Sequence, residues 1–488
     1  MFAPMNLFLK NNSIPISFLI INILLKSLFL TSQSISLDEP FTIYHAQFDF
    51  WNLIGYLKNY NNPPLFEILL HFWIKLFGIT EVSVRILPML FSSFSVLFIY
   101  KIGKVFFDIK TAIVSSILFT FSNIQLFYAH DCRVYSLFLL LTVVSFYYFF
   151  KLLKDGSLPI ICLITYILSN ILIVYAHYFG FFIWGLESLI IVLYYRKNLQ
   201  VTILFVKVFL FSILCYAPYI LILYQRFFES AKNGTYLEVP NGFESIYNMI
   251  WSFTNTPVVT VITLIIITSC LVKFFFFTQK QIINPYAKYV IIWFTVPFIF
   301  MFIVSYKVPM FVDRYLIYIT PALYLILALG IAFLFPQKKL YQVMSFLLVS
   351  SFLFSSNLNP DKKRLVKETV NYIKSNKNNK TIVLVCSTSF NTSFAYYYNQ
   401  KYFQEIDQTS EYQKLENLLR KDNIYFINHL DTNIINKIDQ YEEIIYLDAG
   451  ADFAMPNNNI KIDLLNKFKL RKEKFYFEIF NIYTFSKK

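Results

Sequence analysis

The chain has 488 residues, of which 57% are hydrophobic, 20% aromatic and only 15% charged. An average soluble domain carries about 25% charged residues, and a water-soluble globule could not cover this much apolar side chain, so composition excludes one. The net charge of +14 does not indicate nucleic acid, because no basic run exceeds Lys362-Lys363-Arg364 and most other Lys and Arg lie between apolar segments, where they act as topology signals.

In chain order, the apolar segments predict a polytopic α-helical membrane protein with about 11 transmembrane helices. A helix needs roughly 20 apolar residues to cross the hydrocarbon core. Candidate spans lie near 14–31, 84–102, 111–128, 133–150, 158–176, 178–195, 202–224, 256–277, 287–305, 315–335 and 339–356. The first follows Lys10 and has no small-x-small cleavage site after it, so it reads as a retained helix. A long loop of about 32–83 follows. Its segment 64–77 is short and marked by Glu67, His71 and Lys75, and predicts a helix at the membrane surface.

With the N-terminus in the cytoplasm, the inner connections carry Lys101, Lys104, Lys110, Lys151, Lys154, Arg196, Lys197, Lys273, Lys280, Lys288, Lys338 and Lys339. Basic residues on that side fit the positive-inside rule. The opposite loops carry most of the acids, among them Asp38, Glu39, Asp131, Glu229 and Asp313. An odd number of spans then places 357–488 on the outer face, beyond a membrane domain of 1–356. Those 132 residues hold 20 basic and 16 acidic side chains, against 23 and 13 in 1–356, which is ordinary soluble composition. A helical pattern at 362–375, strand signals at 381–386 and 444–447, and alternating aromatics at 474–485 predict an α/β domain. The five cysteines, at 132, 162, 215, 270 and 386, have neither disulfide-like nor metal-like spacing.

The chemistry concentrates on the predicted outer face. Asp38-Glu39-Pro40 follows the first span directly, where a carboxylate can take a proton from a hydroxyl while an apolar donor stays in the lipid. The plainer role for this trio is to cap a surface helix. Three further outer segments are Tyr128-Ala-His130-Asp131-Cys-Arg133-Val-Tyr135, His177-Tyr178-Phe179-Gly180 and Asp313-Arg314-Tyr315. Arg and Tyr at span ends can serve simply as headgroup anchors. Glu187 lies deep in the sixth span, where a carboxylate must face protein or a polar cavity. Lys26, near the outer end of the first, has the length to snorkel.

As an ordered series these segments resemble a family. Asp38-Glu39, then Asn61-Asn62-Pro63-Pro64-Leu65, Leu70-His71-Phe72-Trp73, Phe77-Gly78 and Arg85 look like the bacterial members of glycosyltransferase family 39. Relatives of that family include dolichyl-phosphate-mannose protein mannosyltransferases and the lipid A aminoarabinose transferase, all with the membrane-embedded GT-C fold. Asp131-Cys-Arg133-Val-Tyr135 resembles its acidic-x-Arg-x-Tyr segment, and His177-Tyr178-Phe179-Gly180 and Arg314-Tyr315-Leu316 resemble two others. Many relatives carry His or Lys before the Pro-Pro pair, whereas this chain has Asn62.

The resemblance implies an inverting transfer of a sugar from a polyprenyl-phosphate carrier to an acceptor hydroxyl of a protein, lipid or glycan. It also implies a bacterial plasma (inner) membrane location, with the active site on the outer face. Asp38 is then the base, Glu39 orients the acceptor or a divalent cation, and Asp131 assists. Arg133 and Arg314 hold phosphate through bidentate, charge-assisted bonds. Tyr135, His177, Tyr178, Tyr315 and Arg85 are the remaining substrate-binding candidates. A divalent cation is the one cofactor left open, and the partners are the lipid-linked donor, the bilayer and an acceptor. Two competing readings are a lipid-linked sugar transporter or flippase, with ionisable groups at midplane, and a glycan polymerase or ligase using a polyprenyl-linked donor.

Overall fold

The computed structural model describes residues 2–58, 62–233, 237–277, 284–360, 364–406, 408, 412–450, 459–476 and 479–487. Asn61, Lys280, Lys362 and Lys363 lie outside the described residues, as do the side chains of Lys10, Glu229 and Lys474. The chain forms two compact units. One comprises Met1–Phe29, Leu57–Phe66 and Arg85–Pro360, and the other Leu30–Tyr56, Glu67–Val84 and Asp361–Lys488.

The first unit is helical. All eleven apolar segments are helical over most of their length. By length and apolarity, however, six helices among the described residues could cross a membrane, or seven if one bent pair counts as a span. That pair is Ile109–Thr120 and Asn123–Ala129, with a 58° bend at the break. Other predicted spans end early or change winding. Gly180–Ile190 passes into a π turn at Ile191–Tyr195, and Ile160–Ala176 has only 17 residues.

Local chemistry explains many of the helix ends. Asp108 and Asn198 accept the amides of Thr111 at 2.6 Å and Val201 at 3.3 Å, and Pro257 and Pro285 occupy first-turn positions. At Gly103 an added Cβ would lie 2.5 Å from the Ala112 Cα, so only glycine lets these successive helices approach as they do. Aromatic packing fills the interior, with Phe146 stacked on Trp293 at 4.1 Å.

Two ionisable groups sit deep in this packing. Lys26 does not snorkel. It is fully buried, donates to Ser92 Oγ at 2.9 Å and lies 4.6 Å from the centre of the Phe119 ring. Glu187, also buried, accepts from Ser145 and Tyr166 hydroxyls, both at 2.7 Å. Both carboxylate oxygens are therefore satisfied within protein.

The second unit is built on a five-stranded sheet of order β2-β1-β3-β5-β4, with β1 at Thr381–Cys386, β2 at Ile424–Phe426, β3 at Glu443–Ala449, β4 at Phe468–Tyr476 and β5 at Phe480–Lys487. The first three are mutually parallel, and the β4–β5 hairpin adds antiparallel to β3. β1 is buried along its whole length, as its Thr-Ile-Val-Leu-Val-Cys run requires. Segments of the 32–83 loop pack in this unit. Tyr397 accepts the Ile35 amide at 2.6 Å and donates to Glu81 at 2.5 Å, while Tyr396 donates to the Ile79 carbonyl at 2.6 Å. The 64–77 segment is the helix Leu65–Phe77, with Phe72, Leu76 and Phe77 exposed.

Candidate functional site

In the first unit, three chain segments bring their side chains together. The tight turn before the helix Tyr135–Asp155 is closed by the Arg133 amide donating to the Asp131 carbonyl at 2.7 Å. Asp131, Arg133 and Tyr135 are all largely buried there. His177 lies in the turn between Ile160–Ala176 and Gly180–Ile190. That turn needs Gly180, because a Cβ there would lie 2.6 Å from the Ile173 carbonyl oxygen. The third segment is the short helix Asp313–Leu316, carrying Arg314 and Tyr315.

The His177 ring is the meeting point. It stacks on Phe138 at 4.9 Å and lies 5.7 Å from the Tyr315 ring and 6.3 Å from that of Tyr135. Its Nδ1 accepts the Phe179 amide at 3.2 Å, which puts the proton of the neutral ring on Nε2. Burial, and then the positive charges of Arg133 and Arg314, push its pKa down to about 3. His177 is thus a neutral donor, and the positive charge belongs to the two guanidiniums. The Arg314 guanidinium also lies 5.3 Å from the Tyr315 ring centre.

Two neighbours were not singled out as site residues from the sequence. Tyr128 donates to Asp313 Oδ1 at 3.0 Å, and the same oxygen accepts the Arg314 amide at 2.7 Å. This pair orients the start of the Arg314 helix. Both residues stand in the quoted motifs, but nothing local signals a bond between positions 185 apart. Tyr178 faces elsewhere, towards Tyr219 and Arg226. Arg85 is fully buried in the helix Glu81–Phe106.

Asp38 and Glu39 belong to the second unit. Asp38 precedes the helix Glu39–Ala46, and its exposed side chain makes no capping hydrogen bond. Buried Glu39 instead accepts the Ser36 amide, ahead of the helix, on Oε2 at 3.2 Å. Leu37, between them, is held at φ 56°, the left-handed region that costs a branched residue energy. The capping role open to this trio is thus not filled by the Asp38 side chain.

Residues 61–222 match the family described as dolichyl-phosphate-mannose-protein mannosyltransferase. No curated protein matches the sequence. Among solved structures, ArnT from Cupriavidus metallidurans bound to undecaprenyl phosphate is similar at a TM-score of 0.56 and 9% identity, covering 97% of this chain and 98% of that one. Over residues 61–222 the chain is glycosyltransferase family 39-like, and as a whole it shares the GT-C fold. The archaeal oligosaccharyltransferase AglB from Archaeoglobus fulgidus, in complex with an inhibitory peptide and a dolichol-phosphate, gives a TM-score of 0.49 at 11% identity. There the alignment covers 90% of this chain and 70% of that one. The family match takes in Arg85, Asp131, Arg133, Tyr135, His177 and Tyr178 of this GT-C chain, and leaves out Asp38, Glu39, Arg314 and Tyr315. Among the described residues no three His, Cys, Asp or Glu side chains are grouped as a metal ion requires.

Proposed function

We propose that this protein is an inverting glycosyltransferase that moves a sugar from a polyprenyl-phosphate carrier to an acceptor hydroxyl at the outer face of a bacterial plasma membrane. The observation that carries this reading is that the Arg133–Tyr135 and Arg314–Tyr315 segments meet at the buried His177 ring. Two cations brought to bear on one buried spot suit a phosphate. As the acceptor oxygen bonds to the anomeric carbon, the carbon–oxygen bond to phosphate breaks. The leaving phosphate then passes from one negative charge towards two. Guanidiniums that bind the more charged form better lower the barrier. The acceptor proton goes to a base, for which the family resemblance implies Asp38; Tyr135, His177 and Tyr315 are the residues proposed to surround the phosphate.

The membrane reading is of eleven spans over 1–356, with 357–488 a soluble domain outside. It is supported by the exposed apolar side chains along the helices, among them Leu210, Leu214, Val258, Ile265, Ile303 and Phe346. Glu187 gives no support to a transporter, since Ser145 and Tyr166 satisfy its carboxylate in a packed interior.

Purified protein in lipid vesicles, given a panel of polyprenyl-phosphate sugars, tests the reading. Release of free polyprenyl phosphate with at least one donor is expected. Asp38→Asn should lower transfer by roughly a hundredfold or more and leave carrier binding nearly unchanged. Near-normal turnover in that variant would remove Asp38 as the base.

A further inference from the structure

A cavity of about 310 Å³ lies in the first unit where the helices Asn123–Ala129, Gly242–Phe253 and Asp313–Leu316 come together. Its volume is at the lower end of the roughly 300–1,000 Å³ typical of small-molecule sites. Its walls include Tyr128, Asn248, Trp251, Ser252, Asn255 and Asp313. The residues from the second and third of these helices, and Asn255, fall outside the segment that matches the mannosyltransferase family.

The lining has a distinct chemistry. Trp251 supplies a partly exposed indole. Asn248 presents an exposed amide with no hydrogen bond among the described residues. Asp313 receives its Tyr128 and Arg314 bonds on Oδ1, leaving Oδ2 as an acceptor. Asn255 is a fixed wall, donating to the Phe121 carbonyl at 2.8 Å and accepting the Asn123 amide at 2.7 Å. Among the described residues, none of those lining the cavity is Lys, Arg or His. A phosphate would face the like-charged Asp313 carboxylate. A sugar ring fits both halves of this wall, with C–H faces that pack on an aromatic ring and hydroxyls that pair with amide and carboxylate groups.

We propose that this cavity binds a neutral or amino-bearing saccharide ring, from the donor or from a glycan acceptor. The sugar's purpose rests on the transferase reading, while its binding stands on the cavity alone. The test uses the full chain in lipid nanodiscs, free of glycoside detergents. Methyl glycosides of glucose, mannose, galactose, N-acetylglucosamine and glucosamine serve as probes, read by saturation-transfer NMR. At least one should bind saturably. Trp251→Ala and the cavity-filling Asn248→Trp should each weaken it by roughly tenfold or more, with unchanged melting midpoints certifying the fold. Displacement of the probe by an undecaprenyl-phosphate-linked sugar identifies the donor ring as occupant. Simultaneous binding of the two identifies the acceptor. No saturable binding across the panel, or equal binding in both variants, overturns the proposal. Undecaprenyl phosphate titrated into the same nanodiscs reads the transferase proposal separately. Carrier binding without glycoside binding sinks only the sugar cavity, and glycoside binding without carrier binding sinks only the carrier.

Discussion

At the scale of single residues, two buried histidines are kept neutral for different ends. His177 is neutral beside two guanidiniums, so its Nε2 can donate without adding charge. In the second unit, His45 stacks on Tyr56 at 3.8 Å, donates from Nδ1 to the Phe41 carbonyl at 2.7 Å and accepts from Tyr412. Burial pushes its pKa down to about 4, opposed by the Phe41 bond. Between the unfolded value of about 6.5 and 4, the unfolded chain binds a proton that the folded ring refuses. Stability is therefore complete above that window and falls as the pH drops through it, by up to about 3 kcal/mol. Thermal melts between pH 7 and 4 should show this loss, and His45→Gln should flatten it; an unchanged slope in the variant would contradict the assignment. From the sequence, Asp131, Arg133, His177 and Arg314 were legible because each stands in a compact motif at a span end. The Tyr128–Asp313 bond and the Trp251 cavity were not, because each joins segments far apart in the chain.

At the scale of elements, the site depends on turns that hold rigid helix ends. Gly180 stands in one of these turns. A methyl group there meets the Ile173 carbonyl and the Val174 amide inside 3 Å, and backbone cannot yield as a side-chain tip does. Gly180→Ala should cost roughly 1–3 kcal/mol, seen as a lower melting midpoint in nanodiscs. Its effect on carrier binding should exceed that of Gly185→Ala, a site with open space around the added methyl. Equal behaviour of the two variants would argue against a positioning turn. Hydrophobic patterning located the eleven long apolar segments of this unit but not the helix Gly242–Phe253. It did not reveal the 58° break near Phe121-Ser122 or the π turn at Ile191–Tyr195, because neither has a proline or glycine within it to mark the change.

At the scale of the whole molecule, composition alone separated an apolar chain of helices from a charged α/β tail, and the motif order carried the GT-C resemblance. The strand signals at 381–386 and 444–447 are the neighbouring parallel strands β1 and β3. The alternating aromatics at 474–485 fall in the β4–β5 hairpin. The grouping of loop segments 30–56 and 67–84 with the C-terminal chain was not legible, since it rests on tyrosines bonding partners more than 300 residues away. The basic-residue bias across an odd number of spans predicts an outer location for 357–488. A reporter fused at Lys488 should give a non-cytoplasmic signal, and a cytoplasmic one would overturn the span count or the orientation. In the proposed reaction Arg133 and Arg314 hold the phosphate of a lipid carrier. Titrating undecaprenyl phosphate into the native protein and into Arg133→Gln, Arg314→Gln and the double variant tests it most directly. Loss of a charge-assisted bond costs about 1.5–3 kcal/mol, so each single variant should bind roughly ten- to a hundredfold more weakly. Lys at either position should restore only part of the affinity. Unchanged affinity in both single variants and in the double variant, all with native melting midpoints, would contradict the account.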